Sequence, residues 1–240
     1  MKKNLPFRVT ILIALSLANV HFAYAQQNEK RFKAGMSLGA VVSDVNGADA
    51  RDGDNDFRKI GYTGGIFVNT ALNQKNILQF EINYITKGSM TPPDSNNNGY
   101  FKIVLGYIEV PILVRHKINF NIKKKPVEKF ELEGGLSVGR LVNHDVIGAA
   151  NYSIPDFGNL FNSTDVSIVG GIDYNFTKNV YLCVRYSNSV IPALKKNVVV
   201  NPQFIRYTFN KGNNMVFQFS LKFTFGNKNS ETTPAKVLTN

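Results

Sequence analysis

The amino-acid sequence predicts an all-β fold, an eight-stranded antiparallel transmembrane β-barrel of the outer membrane. Three observations lead to this fold class. The N-terminus has the pattern of an export signal, eight later segments alternate apolar and polar residues, and the connections between those segments alternate between short and long. This combination is typical of a chain that crosses a membrane with strands.

The first 25 residues have the three parts of a secretory signal peptide. The basic stretch "MKKNLPFR" precedes the apolar run "VTILIALSLANV", and "AYA" at 23–25 fits the small-x-small cleavage rule. The apolar run is shorter than the roughly 20 residues that a membrane-spanning helix needs. We therefore predict a cleaved signal peptide at 1–25, a barrel domain at 26–225 and a short polar periplasmic tail at 226–240. The alternative for the N-terminus is an uncleaved membrane anchor.

The net charge indicates which classes of partner are expected, and the cysteine content indicates where the stability of the fold must come from. The formal net charge is +11, and it is +8 without Lys2, Lys3 and Arg8 of the signal. Positive charge suits anionic lipid headgroups or nucleic acid, and the predicted export argues against nucleic acid. The expected partners are outer-membrane lipid and lipopolysaccharide, together with other envelope or secretion proteins. The single cysteine, Cys183, excludes an internal disulfide, so stability must come from a large core or a membrane.

Eight segments have a hydrophobic period of two, the period of a β-strand. In "RFKAGMSLGAVV", for example, even positions such as Phe32, Met36 and Leu38 are apolar, whereas odd positions such as Lys33 and Ser37 are small or polar. Seven of the eight segments are about 9–14 residues long and the fourth is about 18, long enough for tilted membrane-spanning strands of about 9–11 residues. They are predicted at 31–42, 60–71, 77–87, 101–118, 129–142, 165–176, 180–188 and 214–225.

The connections predict which end of the barrel faces which compartment. The segments after the second, fourth and sixth strands are short ("LNQKN", "NFNIKKKPVE" and "TKN"), and the others are long and polar. Short periplasmic turns and long extracellular loops are the arrangement of outer-membrane barrels. The tyrosines near strand ends suit the two membrane interfaces; they are Tyr62, Tyr84, Tyr100, Tyr174 and Tyr186.

The polar face of the eight segments carries charges of both signs. A soluble, lipocalin-like barrel is the alternative fold, but it would bury these charges in an apolar interior at high cost. In a membrane barrel the apolar face meets lipid and the charges line the lumen. The predicted lumen charge network comprises Lys33, Glu81, Glu109, Arg115, Glu131, Glu133, Asp173, Arg185 and Lys222.

The predicted lumen is plugged. Eight strands leave an interior just wide enough for side chains to fill, and the nine charges are nearly balanced, so ion pairs and trapped water can satisfy them. Inward glycines, such as Gly135, Gly139 and Gly171, leave room for the long side chains opposite. A small-solute, porin-like channel is the alternative.

Proline within the fourth segment predicts a local defect in the sheet. Pro111 has no backbone N–H, so a closed barrel must lose one ladder hydrogen bond there or form a bulge. We expect the bulge or the break in pairing at 110–112.

Several motifs resemble a known family. The central "YIEVPILVR" at 107–115, with Tyr107, Glu109 and Pro111, is the most specific, and "LEGGLSVGRLV", "VGGIDYNFTKNVYLCVRYS" and "FQFSLKFTF" follow in order. Over about residues 30–225 the chain resembles the PorT-like (porin family) outer-membrane β-barrel proteins of Gram-negative bacteria. The resemblance implies an outer-membrane barrel, usually without an assigned activity, one named member of which takes part in protein secretion. The tail after Phe225 departs from barrels that end on their last aromatic residue.

Signals for catalysis, cofactors and metals are weak. The acidic loop at 49–57 places carboxylates at Asp52, Asp54 and Asp56, but Phe57 stands where a calcium loop needs glycine and the distal glutamate is missing, so a solvated loop is favoured. His144 and Asp145 are adjacent, and adjacent side chains diverge in an extended chain. We expect no catalytic residue, no cofactor and no metal. An outer-membrane lipid or peptide hydrolase is the alternative from the enzyme class.

The expected function is therefore that of a non-enzymatic structural or accessory component of an envelope assembly, with protein secretion as one such setting. The third long loop and "VVVNPQFIRYTF" at 198–209 are the candidate partner contacts, because they place apolar residues beyond the expected membrane band. The alternative for 198–209 is a hairpin that extends two strands past the bilayer.

Overall fold

The computed structural model describes residues 32–46, 57–91, 101–122, 125–147, 160–195, 198–200, 207–209 and 212–225. The predicted signal peptide at 1–25 and the tail at 226–240 lie outside these ranges. So do Tyr100, most of the acidic loop at 49–57 and part of the third long loop. Within the described ranges there is no helix long and apolar enough to cross a membrane.

Eight antiparallel strands close into a barrel, which confirms the predicted fold class. The barrel strands are β1 (Phe32–Val45), β2 (Lys59–Ala71), β3 (Asn76–Thr91), β4 (Phe101–Ile122), β5 (Lys125–Ile147), β6 (Thr164–Asn175), β7 (Val180–Ser189) and β10 (Asn214–Thr224). Their order around the barrel is β1-β10-β7-β6-β5-β4-β3-β2, so strands that follow each other in sequence are also neighbours in space, and β10 closes the barrel between β7 and β1.

The alternation predicted from the sequence is seen as an apolar outside and a polar inside. Leu38 and Ile60 on the outer surface are 67% and 74% exposed, whereas Arg115 and Lys222 are 2% and 1% exposed. A soluble barrel would have the opposite arrangement, because its exterior meets water. The apolar exterior suits a lipid environment.

Short turns connect the strands at one end of the barrel. Between β2 and β3 the turn is Leu72–Lys75, where the Asn73 Oδ1 atom accepts hydrogen bonds from the backbone N–H groups of Lys75 and Asn76 at 2.9 and 2.8 Å. An asparagine side chain that accepts from residues two and three positions ahead stabilises such a turn. Long connections join the strands at the other end, as predicted.

Strands β4 and β5 are longer than the sequence pattern predicts. The segments predicted at 101–118 and 129–142 are strands at Phe101–Ile122 and Lys125–Ile147, so most of "NFNIKKKPVE" is strand and only 123–124 separate the two. The apolar alternation ends earlier because it is required only where a strand faces lipid, whereas ladder hydrogen bonds continue beyond the membrane.

The break in pairing at Pro111 is confirmed, and it is confined to one side. Between β3 and β4 the pairing stops after Phe80↔Ile112 and resumes at Asn83↔Glu109 in the same register. On the other side, Pro111↔Ser137 lies within an unbroken stretch of the β4–β5 ladder. The register shifts between β4 and β5 lie at Gly106/Tyr107 and Ile118/Phe120, so of the two expected alternatives at 110–112 the structure has the break in pairing and not the bulge. Because Pro111 has no backbone N–H, the gap in the hydrogen-bond ladder between β3 and β4 is sufficient to accommodate it.

Segment 198–209 contains a hairpin of its own. Strand β8 (Val198–Val200) pairs with β9 (Tyr207–Phe209) as a separate two-stranded sheet. The hairpin was the alternative interpretation of this segment. The predicted hairpin extended two barrel strands, whereas the β8–β9 hairpin forms a separate sheet and β7 pairs directly with β10 in the barrel.

Candidate functional site in the barrel lumen

A chain of ion pairs crosses the half of the lumen nearest the short turns. Arg115 on β4 lies 2.6 Å from Glu131 and 2.9 Å from Asp173, measured from guanidinium nitrogen to carboxylate oxygen. Its Nη1 atom donates to the Gln79 Oε1 atom at 2.7 Å, and its guanidinium lies 4.9 Å from the centroid of the Tyr181 ring. The planar guanidinium therefore has carboxylate, amide and aromatic partners from several walls of the barrel.

Two further cations continue this chain. The Lys222 Nζ atom lies 3.0 Å from Asp173 and 2.8 Å from Glu133. Arg185 binds Glu133 at 2.6 Å and Glu81 at 2.8 Å. We call the seven side chains the inner ion-pair chain; in order they are Glu131, Arg115, Asp173, Lys222, Glu133, Arg185 and Glu81.

Neutral donors satisfy the end of the inner ion-pair chain. The amides of Gln79 and Asn83 each donate to a Glu81 oxygen at 2.6 Å. Glycine opposite the chain leaves room for it, as predicted: a Cβ atom on Gly171 would lie 2.8 Å from the Glu133 Oε1 atom. Buried charges need this number of partners to offset their desolvation.

A second charged group lies closer to the long loops. Lys87 on β3 forms ion pairs with Glu109 on β4 and, at 3.2 Å, with Asp165 on β6. Asp165 also accepts hydrogen bonds from Ser167 at 2.7 Å and from Asn214 at 2.6 Å. We call Lys87, Glu109 and Asp165 the outer charge cluster.

An apolar cluster covers the long-loop end of the lumen. Phe161 and Leu194, which belong to two different connections, pair as an isolated bridge and are 3% and 1% exposed. The Asn162 N–H donates to the Ala193 carbonyl at 2.8 Å, and the Ala193 N–H donates to the Gly212 carbonyl at 2.7 Å. We call this cluster the apolar cap; it contains Val41, Val45, Ile85, Ile103, Leu105, Tyr107, Val146, Phe161, Ala193, Leu194 and Val216.

Tyr107 and Glu109, which carried the family resemblance, lie where the apolar cap meets the outer charge cluster. The Tyr107 ring is fully buried in the cap and lies 5.4 Å from the Lys87 Nζ atom. Its hydroxyl accepts a hydrogen bond from the Asn214 amide at 3.5 Å. The third residue of that motif, Pro111, also points inward.

The structure brings eight of the nine predicted lumen charges into these two groups. Glu109 lies in the outer charge cluster and the other seven form the inner ion-pair chain. Lys33 is different: it is half-buried at the turn end of β1, and it forms no ion pair with any residue that the structure describes.

Two central members of the outer charge cluster were missing from the prediction. Lys87 and Asp165 stand at the limits of their predicted segments, but both occupy odd positions in phase with Glu81 and Asp173. Extending the alternation to the ends of the segments would have found them.

Three ligand-type atoms in the lumen lie within 4.8 Å of one another; they belong to Glu133 and Asp173 of the inner ion-pair chain and to the neighbouring Cys183. They do not fit a metal ion, because Lys222 and Arg185 already neutralise both carboxylates. The Cys183 thiol donates to Glu133 at 3.4 Å.

The two histidines of the barrel lie on its exposed surface, apart from the lumen charges. The His144 ring lies 5.9 Å from the Phe161 ring, and the His116 Nδ1 atom lies 2.8 Å from the Asn76 Oδ1 atom. The geometry places neither histidine in contact with the inner ion-pair chain.

Comparison with solved structures returns outer-membrane barrels. Ail, the attachment invasion locus protein of Yersinia pestis, is 13% identical over 80% of this chain and 98% of its own, with a TM-score of 0.43. Neisserial surface protein A is 12% identical over 83% and 100%, with a TM-score of 0.40. OprG from Pseudomonas aeruginosa is 9% identical over 82% and 95%, with a TM-score of 0.33.

Sequence comparison gives the family. No match is found among curated proteins. The family model described as "Outer membrane protein beta-barrel domain" matches residues 24–195, most of the chain. With its closed eight-stranded barrel and apolar exterior, the chain belongs to the outer membrane protein β-barrel domain family.

Proposed function

We propose that this outer-membrane protein is a closed, non-enzymatic barrel that serves as a structural or accessory component of an envelope assembly, in the manner of PorT-like proteins. The observation that carries the proposal is the inner ion-pair chain, which spans the lumen between opposite walls. Arg185 on β7 holds Glu81 on β3, and these strands are diametrically opposed in the barrel.

Passage of a solute would require this chain to open. Separating a buried cation from its carboxylates leaves uncompensated charge in a confined space and costs several kcal/mol. The apolar cap adds a second barrier, because an apolar constriction excludes water and ions. Both features favour a plugged lumen over a porin-like channel.

Planar-bilayer conductance tests the closed lumen. The purified wild-type barrel is expected to give no stable single-channel steps. A matched variant combines Arg185→Ser, Glu81→Ser and Glu133→Ser, which remove the link between β7 and β3 and leave Lys222 paired with Asp173, with Phe161→Ser and Leu194→Ser, which weaken the apolar cap. It serves as the control for insertion, because both barriers are weakened and its lumen is expected to conduct. Discrete single-channel steps from the wild-type barrel would contradict the closed lumen and favour the small-solute channel instead.

The long-loop end is the proposed contact with an envelope partner. The β8–β9 hairpin is separate from the barrel sheet, and its sequence "VVVNPQFIRYTF" is rich in apolar residues. An extended, apolar segment of this kind can recruit a partner by strand addition.

Deletion of the hairpin tests this contact. Residues 198–209 are replaced by a short Gly-Ser linker, which is expected to leave the barrel intact because β7 and β10 pair directly. Cross-linking in native outer membranes should recover a partner with the wild type and lose it with the deletion. Recovery of the same partner by the deletion, or of none by either chain, contradicts the assembly role.

The enzyme alternative has a separate test. Wild type and His144→Ala are assayed for phospholipid and peptide hydrolysis in detergent. We expect no turnover from either protein, and an activity that the substitution removes would replace the proposal with a hydrolase.

A further inference from the structure

Lysines surround the turn end of the barrel. Lys33 lies on β1, Lys75 in the β2–β3 turn, Lys117 on β4, Lys129 on β5 and Lys178 in the β6–β7 turn. These positions are distributed around most of the circumference, and each side chain is exposed or half-exposed. We call these five residues the lysine rim.

Positive charge at this rim is not balanced by nearby exposed acids among the described side chains. The carboxylates nearest to the rim are Glu131 and Asp173, which are buried and bound to Arg115. By sequence, the stretch 118–128 contains three further lysines, Lys123, Lys124 and Lys125, and a single acid, Glu128. The lysine rim therefore presents an excess of positive charge.

The long-loop end has a different charge pattern. There the described residues include the half-exposed Asp145 and the exposed or half-exposed basic residues Arg58, Lys102, Arg140 and Lys195. By sequence, the connection between β1 and β2 also carries the acids of "DARDGDNDF". The long-loop end therefore carries charges of both signs, whereas the exposed and half-exposed charges that the structure describes at the turn end are all basic, which favours an anionic partner there.

Aromatic residues place the lysine rim at the depth of a membrane interface. Phe32, Phe176 and Phe225 are 57%, 63% and 56% exposed on the outer face of the same end. The Phe130 and Tyr174 rings lie 5.1 Å apart, and the Lys129 Nζ atom lies 5.8 Å from the Tyr174 ring centroid. An aromatic ring at the headgroup level with lysines beside it is the arrangement that anchors proteins at the lipid–water boundary.

We propose that the lysine rim binds the anionic phospholipid headgroups of the inner leaflet of the outer membrane, and that it thereby selects these lipids around the barrel. The phosphate groups of that leaflet lie at the level of the aromatic residues, within reach of flexible ammonium groups. One lysine near an anionic surface contributes a factor of about five in apparent affinity, so several together give a measurable preference. The proposal is independent of whether the lumen conducts.

Lipid selectivity is measured with spin-labelled phosphatidylglycerol and phosphatidylcholine in phosphatidylcholine vesicles that contain the full barrel. The test variant combines Lys75→Gln, Lys117→Gln, Lys129→Gln and Lys178→Gln. The matched control removes four basic residues from the long-loop end: Arg58→Gln, Lys102→Gln, Arg140→Gln and Lys195→Gln. Circular dichroism shows that each barrel is folded.

Wild type and control are expected to enrich phosphatidylglycerol several-fold at low salt, and the rim variant is expected to lose most of this preference. High salt should reduce the wild-type preference, because exposed charges are screened. An equal association of both lipids with the wild type, a preference that survives in the rim variant, or a loss in the control alone would each overturn the proposal. Equal association of both lipids with the wild type would instead favour an acidic periplasmic macromolecule as the partner of the lysine rim.

Discussion

Arg185 bridges Glu81 to Glu133 across the lumen of the barrel. Its Nε atom lies 2.6 Å from the Glu133 Oε1 atom, and its two terminal nitrogens lie 3.0 and 2.8 Å from the two oxygens of Glu81. Glu81 stands on β3, the strand opposite β7, so one guanidinium ties both halves of the barrel wall together.

Loss of this bridge is expected to destabilise the barrel strongly. Arg185→Met leaves two buried carboxylates without their principal cation, and breaking a buried pair from one side costs about 3–5 kcal/mol. Urea unfolding in detergent micelles measures the change in the free energy of unfolding. Arg140→Met, at an exposed site, is the control and should change it little. A loss of less than about 1 kcal/mol for Arg185→Met would show that the remaining partners, Lys222 and the amides of Gln79 and Asn83, are sufficient to stabilise Glu133 and Glu81.

The outer charge cluster should behave as a unit. Lys87→Met alone leaves Glu109 and Asp165 buried as unpaired anions, and we expect a loss of stability similar to that of Arg185→Met. Adding Glu109→Gln and Asp165→Asn removes the uncompensated charge, so the triple variant should regain part of that stability. The same unfolding titration compares the three proteins. If the triple variant is less stable than Lys87→Met, uncompensated charge within the cluster is not the main cause of the loss of stability in Lys87→Met.

Alanine substitutions at two glycines test whether the effect of an added Cβ atom comes from steric crowding or from the change in strand propensity. A Cβ atom on Gly135 would overlap the Ile112 carbonyl oxygen, whereas one on Gly170 would meet no atom within 4 Å. Gly135→Ala is expected to lower the yield and stability of the folded barrel, because the β4–β5 ladder must shift. Gly170→Ala should be neutral or slightly stabilising, since alanine reduces the entropy of the unfolded chain. Comparable effects in refolding assays would contradict the steric assignment.

The single cysteine reports whether the lumen is sealed. The Cys183 side chain points inward and is 2% exposed. A water-soluble methanethiosulfonate reagent is therefore expected to label the folded barrel slowly and the urea-unfolded chain rapidly. Lys75→Cys in a Cys183→Ser background provides the exposed comparison in the β2–β3 turn. Labelling of Cys183 at the rate of that surface cysteine would indicate a hydrated, open lumen.

Much of the lumen follows from the sequence alternation alone. Glu81, Arg115 and Asp173 are assigned to the interior because the pleat turns successive side chains to opposite faces, and a membrane requires the apolar face outside. The same alternation, carried to the ends of the segments, contains Lys87 and Asp165. Lys33 follows it too, but lies half-buried at the mouth of the lumen, where the pattern cannot distinguish an interior charge from one at the rim.

The sequence by itself determined the strands, their two faces and the alternation of short turns with long loops, because these depend on residues that are near neighbours in the chain. Only the tertiary structure decided which charges pair. Arg185 and Glu81 are 104 residues apart and meet because barrel closure sets their strands opposite each other. The apolar cap was likewise decided by tertiary contacts, since Phe161 and Leu194 come from two irregular connections without a periodic pattern. Strand register and closure fix these distances, and no local sequence pattern encodes them.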